Sequence, residues 1–390
     1  MTSSVLVVGG SIAGTTLAYW LRRNGFSVTV AERASALRDG GYKVDIRGAA
    51  LPVVERMGIL DELRSLRTEV RSGTVVDATG KRVAAMDGDT FGGRAHGDAE
   101  VLRGDLTRLL YHLTKDDVEY RFGEAITALD GNRATFSSGR TSSYDLVIGA
   151  DGVHSTTRAL AFGPEENYLH DLGYRIAIAS VPNDLGLDRE EVTYVGPGRT
   201  TLVYSTTRDS SAKAMFLYEA PARPASLRDV YAGEGWEVPR LLDAVDASDD
   251  LYSDVMTQVT MDRWSAGPVA LVGDAAYCAS PASGQGTSLA LVGAYVLAGE
   301  LASGGGFEAY ERRMRPFVER NQKLGPANVK RMVLKTPRQV RGSMRMLAVI
   351  DKLPLKDRLL AAAMAPLHKA AGAIDLPSYA PTGRPPRPVG

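Results

Sequence analysis

A single cysteine, Cys278, stands among 390 residues, which excludes an internal disulfide framework and a CxxC redox pair. The five histidines, His96, His112, His154, His170 and His368, have no metal-ligand spacing, so nothing points to a zinc or iron centre. Excess charge of one sign is also missing. Lys plus Arg and Asp plus Glu number 46 each, and no global field would draw the molecule to nucleic acid or an anionic membrane. The longest apolar stretch, SLALVGAYVLAGEL at 288–301, falls short of the ~20 residues a bilayer crossing needs and carries Glu300; it reads as a buried helix. The N-terminus has no basic n-region and runs straight into a strand pattern, so a secretory signal is not expected and a cytoplasmic protein is. There is no internal repeat. The balance of 44% apolar and 24% charged residues is that of a globular chain, and its length suits two domains.

The first stretch with chemical content is VLVVGGSIAGTTLAYWLRRNGFSVTVAER, residues 5–33. Val5 to Val8 reads as a strand, residues 12–23 as a helix stopped by Asn24-Gly25, and Ser27 to Ala31 as a second strand. This is a βαβ unit of ~30 residues. In the pattern G-x-G-x-x-G the first glycine makes the turn, the second admits a pyrophosphate to the backbone, and the third lets helix pack on strand. Here those positions are Gly9, Ser11 and Gly14. Ser11 is a mild departure, because its side chain is small and its hydroxyl can donate to a phosphate oxygen. With Ile12 and Ala13 these residues present a helix N-terminus, which favours negative charge by roughly 0.3 to 2 kcal/mol. Glu32, about 20 residues past the finger, is placed to accept from ribose hydroxyls, with Arg33 beside it. A carboxylate there repels a 2′-phosphate, so this finger is not expected to hold NADP.

Two later stretches repeat the theme of strand, turn and helix. In YDLVIGADGVHSTTR, 144–158, a buried strand leads to Asp151-Gly152. In GPVALVGDAAYCASPASGQGTSLALVGAYVLAGEL, 267–301, a strand leads to Gly273-Asp274, a loop, and a long apolar helix. Asp274 sits at a strand's C-terminal end, where ligands bind in open α/β sheets. The glycines of Gly284-Gln285-Gly286, followed by Thr287, leave the first N–H groups of the helix approachable.

Together with Arg103 in EVLRGDLTRLL, these segments resemble the FAD-dependent aromatic hydroxylases, the group A flavin monooxygenases of the para-hydroxybenzoate hydroxylase fold, over most of residues 1–325. GGYKVDIRGAALPVVERMGI, 40–59, resembles the tetracycline-inactivating branch. The resemblance implies an α/β fold: a Rossmann-like FAD-binding domain, an antiparallel β-sheet substrate domain, and C-terminal helices. The corresponding boundaries are 1–68, 97–170 and 263–325 for FAD, 69–96 and 171–262 for substrate, and 326–390 for the helices and a Pro-rich tail. It implies FAD on Gly9, Ser11, Gly14 and Glu32, Arg103 against the flavin, and Asp274 on the ribityl chain. Asp151 and Gly152 would serve both FAD and a transient NAD(P)H encounter. The Pro281 to Gly284 turn and Gly286 would shape the oxygen side of the ring. The expected reaction is hydroxylation of a phenolic or polycyclic aromatic small molecule by O2 through a flavin C4a-hydroperoxide. The helix starting near Gly286 would stabilise the negative charge of reduced flavin. The chain departs from the family at Tyr277, where His is frequent and a proton relay is therefore not expected. It departs again at Ser288, where Asn is usual and makes a stronger polar contact.

No second finger is found, since GPGR at 196–199 and SGGGF at 303–307 lack a flanking strand and helix, so nicotinamide is expected to visit rather than reside. Trp20, Trp236 and Trp264 stand too far apart for the paired tryptophans of flavin halogenases. Residues 69–86 and 171–220 alternate in the strand manner and suggest a sheet roofing the substrate, with Tyr204, Phe216 and Tyr218 as candidate wall residues, although for any one of them a place in the core or on the outer face of that sheet is the commoner role. Arg47 follows the Gly40-Gly41 loop and is a candidate flavin contact; the surface-arginine reading is equally weighted. Cys278 reads as a buried filler and His154 as a loop residue. AYERRMRPFVERNQK, 309–323, reads as a surface helix kinked at Pro316, and the helices beyond 326 as broken at Pro354 and Pro366. These helices are expected to brace the domains or make a dimer contact, and the oligomeric state is a monomer or a homodimer. Two other readings stay open: a flavin oxidoreductase of the same fold that inserts no oxygen, and a flavin-binding protein without turnover.

Overall fold

Strand Ser4–Val8 is apolar from Val5 onward and lies at the centre of a six-stranded sheet, which is covered on both faces. The structure, a computed structural model, describes residues 2–37, 41–95, 97–206, 211–354 and 356–379. Gly40, His96 and the Pro-rich tail from residue 380 lie outside them. The strand order is Ser265–Ala266, Val269–Leu271, Leu146–Gly149, Ser4–Val8, Ser27–Glu32, Glu119–Phe122, and every pairing is parallel except the first. Register brings the strand ends into line. Val8 pairs with both Ala31 and Gly149, and Gly149 with Leu271, so four strands end level. Gly9, Glu32, Asp151 and Asp274 therefore emerge at one edge of one sheet.

Helix Ile12–Arg23 and helix Gly286–Ala302 pack against each other and share the largest apolar core. The second is buried from Ser288 to Glu300, as its all-round apolar sequence requires. Close approach to Gly293 is what admits Tyr277, since a Cβ there would lie 1.9 Å from the Tyr277 hydroxyl.

The second sheet has seven strands in the order Tyr252–Val259, Leu169–Val181, Ala212–Glu219, Arg199–Ser205, Glu190–Gly196, Ser72–Val76, Arg82–Asp87. It is antiparallel except where Ser72–Val76 runs parallel to Glu190–Gly196, because the first of these arrives from the half built on the six-stranded sheet rather than through a hairpin. One face carries Ala177, Ala179, Tyr194, Val203, Phe216 and Tyr218 and is covered by Tyr231 and helix Val238–Asp246. The other carries Ile176, Ile178, Met215 and Leu217 and packs toward Tyr42 and Ala282 of the half built on the six-stranded sheet.

The C-terminal segment ties the halves together. Helix Leu324–Met332 packs on the Pro281–Ser283 turn, and Met332 and Leu334 accept hydrogen bonds from Thr200 and Gly198 of the second sheet. Helix Lys356–Ala371 ends on the loop after Arg47, where Ala49 N–H donates to Ala371 O. Pro366 does not break this helix but lies inside it, and helix Gly306–Gln322 likewise runs through Pro316. Each proline removes one ladder bond, which the surrounding packing tolerates. Pro354 does fall between helices.

Candidate cofactor cleft

The finger closes tightly. Gly9 has φ +106°, and a Cβ there would stand 2.5 Å from Ala150 O; a Cβ on Gly14 would stand 1.8 Å from Gly9 O. Ser11 is the N-cap of helix Ile12–Arg23, yet its side chain makes no capping bond and no acidic residue occupies the first turn. The positive helix end is thus left for an outside anion. The Ser11 hydroxyl instead accepts from the Arg103 guanidinium at 3.1 Å, which leaves its proton available to donate. Glu32 accepts from Gly10 N–H at 2.7 Å and Ala34 N–H at 2.8 Å, one on each carboxylate oxygen. These bonds fix its orientation and leave lone pairs for hydroxyl donors. Arg33 is exposed beside it.

The facing wall comes from the third strand–helix junction. Gly273, φ +68°, brings Asp274 close to the finger: a Cβ on Gly273 would meet Ala13 Cβ at 2.9 Å. Asp274 is half-buried, and burial pushes its carboxyl above the usual range, against the Arg103 guanidinium and the Cys278 thiol, which favour the charged form. Beyond it the loop has two faces. Ala282, Ser283, Gln285 and Ser288 are buried, while Pro281, Gly284, Gly286 and Thr287 stay open. Gln258 and Asn328 hold the carbonyls of Ala279 and Ala282 at 3.2 and 3.1 Å, so the open face belongs to a fixed backbone.

Asp151 has a different setting. Its carboxylate accepts from the hydroxyl of Ser155, the N-cap of helix Thr156–Phe162, and from Thr157 N–H in the first turn at 2.9 Å. Gly152 beside it faces open space at φ +84°. Arg158 is the residue that sequence reasoning passed over. It is fully buried and donates to Val153 O at 2.6 Å and Ala275 O at 2.9 Å, binding the Asp151 turn to the Asp274 helix. The only available signal was an arginine at a fixed offset from the Asp-Gly turn, which spacing alone cannot distinguish from a surface residue.

Arg47 is buried, and its guanidinium is committed to the Gly92 and Gly93 carbonyls and to Asp45 at 2.7 Å, while its backbone N–H donates to the Ser288 hydroxyl at 3.1 Å. Ser288 thus holds the loop after strand Lys43–Ile46 against the long helix. Tyr277 is buried, packed against Trp264 and bonded to the Tyr310 hydroxyl at 3.0 Å. Cys278 is buried too, and burial pushes its thiol well up. His154 is exposed beside Glu165.

Two of the three proposed wall residues need correction. Phe216 and Tyr218 face helix Val238–Asp246, with Phe216 edge-on to Tyr231 at 5.1 Å, so neither looks toward the cleft. Alternation along Ala212–Glu219 turns Met215 and Leu217 there instead. Tyr204 does point to the cofactor half but is fully buried, its hydroxyl accepting from Lys43 N–H at 3.2 Å. It belongs to a buried charge cluster. Lys43 pairs with Glu191 and with Glu100 at 3.2 Å, and Arg94 with Glu100 at 2.7 Å. Burial opposes the Lys43 charge, but Glu100 and Glu191 outweigh it and hold the ammonium above its ordinary value. Among the described residues no group of three or more His, Cys, Asp or Glu could hold a metal, and no helix is long and apolar enough to cross a membrane.

Comparison with known proteins agrees with this geometry. The family described as FAD binding domain matches residues 2–169 and 244–330. An uncharacterized protein of Mycobacterium tuberculosis is 44% identical over 347 residues, 84% of this chain and 93% of its own. A flavin-dependent monooxygenase of Legionella longbeachae is 38% identical, over 82% of this chain and 87% of that one. The crystal structure of tetracycline destructase Tet(51) superposes with a TM-score of 0.82 at 35% identity, covering 97% of this chain and all of that one. With its parallel sheet, finger and Asp274 loop converging on one cleft, the chain belongs to the FAD-dependent monooxygenases of the aromatic hydroxylase family.

Proposed function

We propose that this enzyme consumes NAD(P)H and O2 to hydroxylate a phenolic or polycyclic aromatic small molecule. The observation that carries the reading is the two-faced 281–288 loop, open at Pro281, Gly284, Gly286 and Thr287, beneath a sheet face lined by Ile176, Ile178, Met215 and Leu217. An apolar roof over an uncapped helix start suits a flat, weakly polar substrate beside a cofactor that gains negative charge. In this reading residues 1–68, 97–170 and 263–325 hold the cofactor, and 69–96 and 171–262 roof the substrate.

The residues present fit FAD. The free N-terminus of helix Ile12–Arg23 and the Ser11 hydroxyl suit a pyrophosphate, Glu32 suits a ribose, and half-buried Asp274 suits a polyol. Bound FAD supplies the electron store and the reaction with O2. The protein's part is placement and exclusion of water. Gly286 and Thr287, in the uncapped first turn of helix Gly286–Ala302, would offer backbone N–H groups to developing negative charge, Gln258 and Asn328 would hold the preceding loop in place, and the apolar roof would keep the site dry. The likeness to tetracycline destructase Tet(51) supports a substrate of several fused rings.

The test is a screen of the FAD-loaded protein with aromatic metabolites under labelled O2. NAD(P)H oxidation stimulated by a compound that gains one labelled oxygen atom is the expected result. Product formed only without oxygen would point to an oxidoreductase, and FAD that NAD(P)H never reduces would point to a carrier.

A further inference from the structure

We infer that Tyr42 and Tyr252 form the docking platform for the nicotinamide ring of the reductant, at the rim of the cofactor cleft. The inference rests on the monooxygenase reading above. The two tyrosines come from different halves of the molecule. Tyr42 precedes strand Lys43–Ile46, and its carbonyl accepts from Arg103 N–H at 3.0 Å; Tyr252 opens the edge strand Tyr252–Val259 of the roof. Their ring centroids lie 5.8 Å apart at 40°. Tyr252 is 37% exposed, and its hydroxyl donates to Asp254 at 2.6 Å, which anchors the ring at the surface.

Position and chemistry then select the visitor. Arg103 donates its backbone N–H to Tyr42 O and its guanidinium to the Ser11 hydroxyl, so the platform borders the Ser11–Arg103 side of the cleft. Met215 and Leu217, two strands in from the edge, lie on the roof face that packs toward Tyr42, so Tyr252 is the ring set furthest from the apolar wall. A nicotinamide ring stacks on tyrosine, more strongly in its cationic oxidised form, and a guanidinium alongside suits its phosphates. The sequence holds one finger, which FAD would occupy, so a second dinucleotide would be held by a few side chains of this kind.

The experiment uses full-length, FAD-loaded protein and the variants Tyr252→Ala, Tyr252→Phe and Tyr42→Ala. NAD+ and NADP+ binding is measured by titration calorimetry, and anaerobic flavin reduction is followed against NADH and NADPH concentration. Tyr252→Ala is expected to weaken dinucleotide binding and raise the half-saturating concentration roughly tenfold or more, the size of one lost base–aromatic stack. Tyr252→Phe, which keeps the ring, is expected to stay close to wild type, and FAD retention and the aromatic KM to hold in both. Unchanged dinucleotide binding in Tyr252→Ala and Tyr42→Ala overturns the inference while leaving the monooxygenase reading in place. So does a rise confined to the aromatic KM, which would make the pair a substrate gate. A wild-type flavin that neither NADH nor NADPH reduces takes down both.

Discussion

Replacing Asp274 by Asn separates the cost of a buried carboxylate from its use. In the free protein burial holds the Asp274 carboxyl above its ordinary range. A carboxyl whose folded-state value is raised contributes stability fully present below the unfolded value and lost as pH rises through the folded one. At neutral pH the charged group is therefore a burden on the apoprotein, and Asn, nearly isosteric and uncharged, removes it. The apo variant is expected to be as stable as wild type or more so at pH 7 to 8, with the gap closing as pH falls toward the ordinary carboxylate range. Cofactor binding should move the other way. A hydrogen bond from a cofactor hydroxyl to a charged acceptor is worth about 1.5 to 3 kcal/mol, so the FAD dissociation constant should rise roughly ten- to 150-fold. Thermal melts of the apoprotein across pH, with titration of FAD by flavin fluorescence, read both. An unchanged FAD constant would refute the assignment of Asp274 to the cofactor. A large loss of apo stability at pH 8 would instead make it a structural residue.

Five other substitutions probe separate parts of the molecule. Gly14→Ala places a Cβ 1.8 Å from Gly9 O, and the overpacking should cost at least about 1 to 3 kcal/mol with loss of FAD, read by melting and visible absorbance. Arg158→Met leaves the Val153 and Ala275 carbonyls without their donor; at roughly 1 to 3 kcal/mol for each buried orphan, the midpoint of urea unfolding should fall markedly. Lys43→Met strips Glu191 and Glu100 of a buried partner and should cost about 3 to 5 kcal/mol in the same assay. Phe216→Ala should destabilise by about 3 to 5 kcal/mol while leaving the aromatic KM unaltered, whereas Met215→Ala should raise that KM with little loss of stability; the reverse pattern would mean that the sheet faces are misassigned.

The cofactor half was the more legible because its signals are local. Gly9, Gly14 and Asp274 each stand within a few residues of a strand end, and the parallel register that aligns those ends follows from strands and helices alternating in the chain. The roof was less legible. Alternation along AKAMFLYEA identifies a strand but not which of its two faces meets the flavin side, and an aromatic at Phe216 fits a helix-covered core as well as a substrate wall. Only the pairing of Ala212–Glu219 with its neighbours, and the helix laid over Tyr231, settle the matter. Pro366 misled for a related reason: the chain rule disfavours an interior proline by about 3 kcal/mol, and tertiary contacts of helix Lys356–Ala371 with helix Gly306–Gln322 overcome it.

Arg47, Ser288 and Lys43 show what a motif cannot carry. Each stands close in sequence to a residue on the cleft, and each is turned instead to holding the short ribbon of Lys43–Ile46 and Ala99–Leu102 in place, against the long helix through Ser288 and against the roof through Glu191. The same ribbon is preceded by Tyr42 and followed by Arg103, which lie on the cleft. A buried ionic anchor tolerates little displacement, because breaking one partner leaves an uncompensated charge. The ribbon's outer end is thereby fixed to the substrate half while its inner end bears on the cofactor half, so a change in one half has a rigid mechanical path to the other. Lys43→Met therefore tests more than stability: if the ribbon couples the halves, the surviving folded fraction should also lose FAD affinity, although Lys43 itself never reaches the cleft.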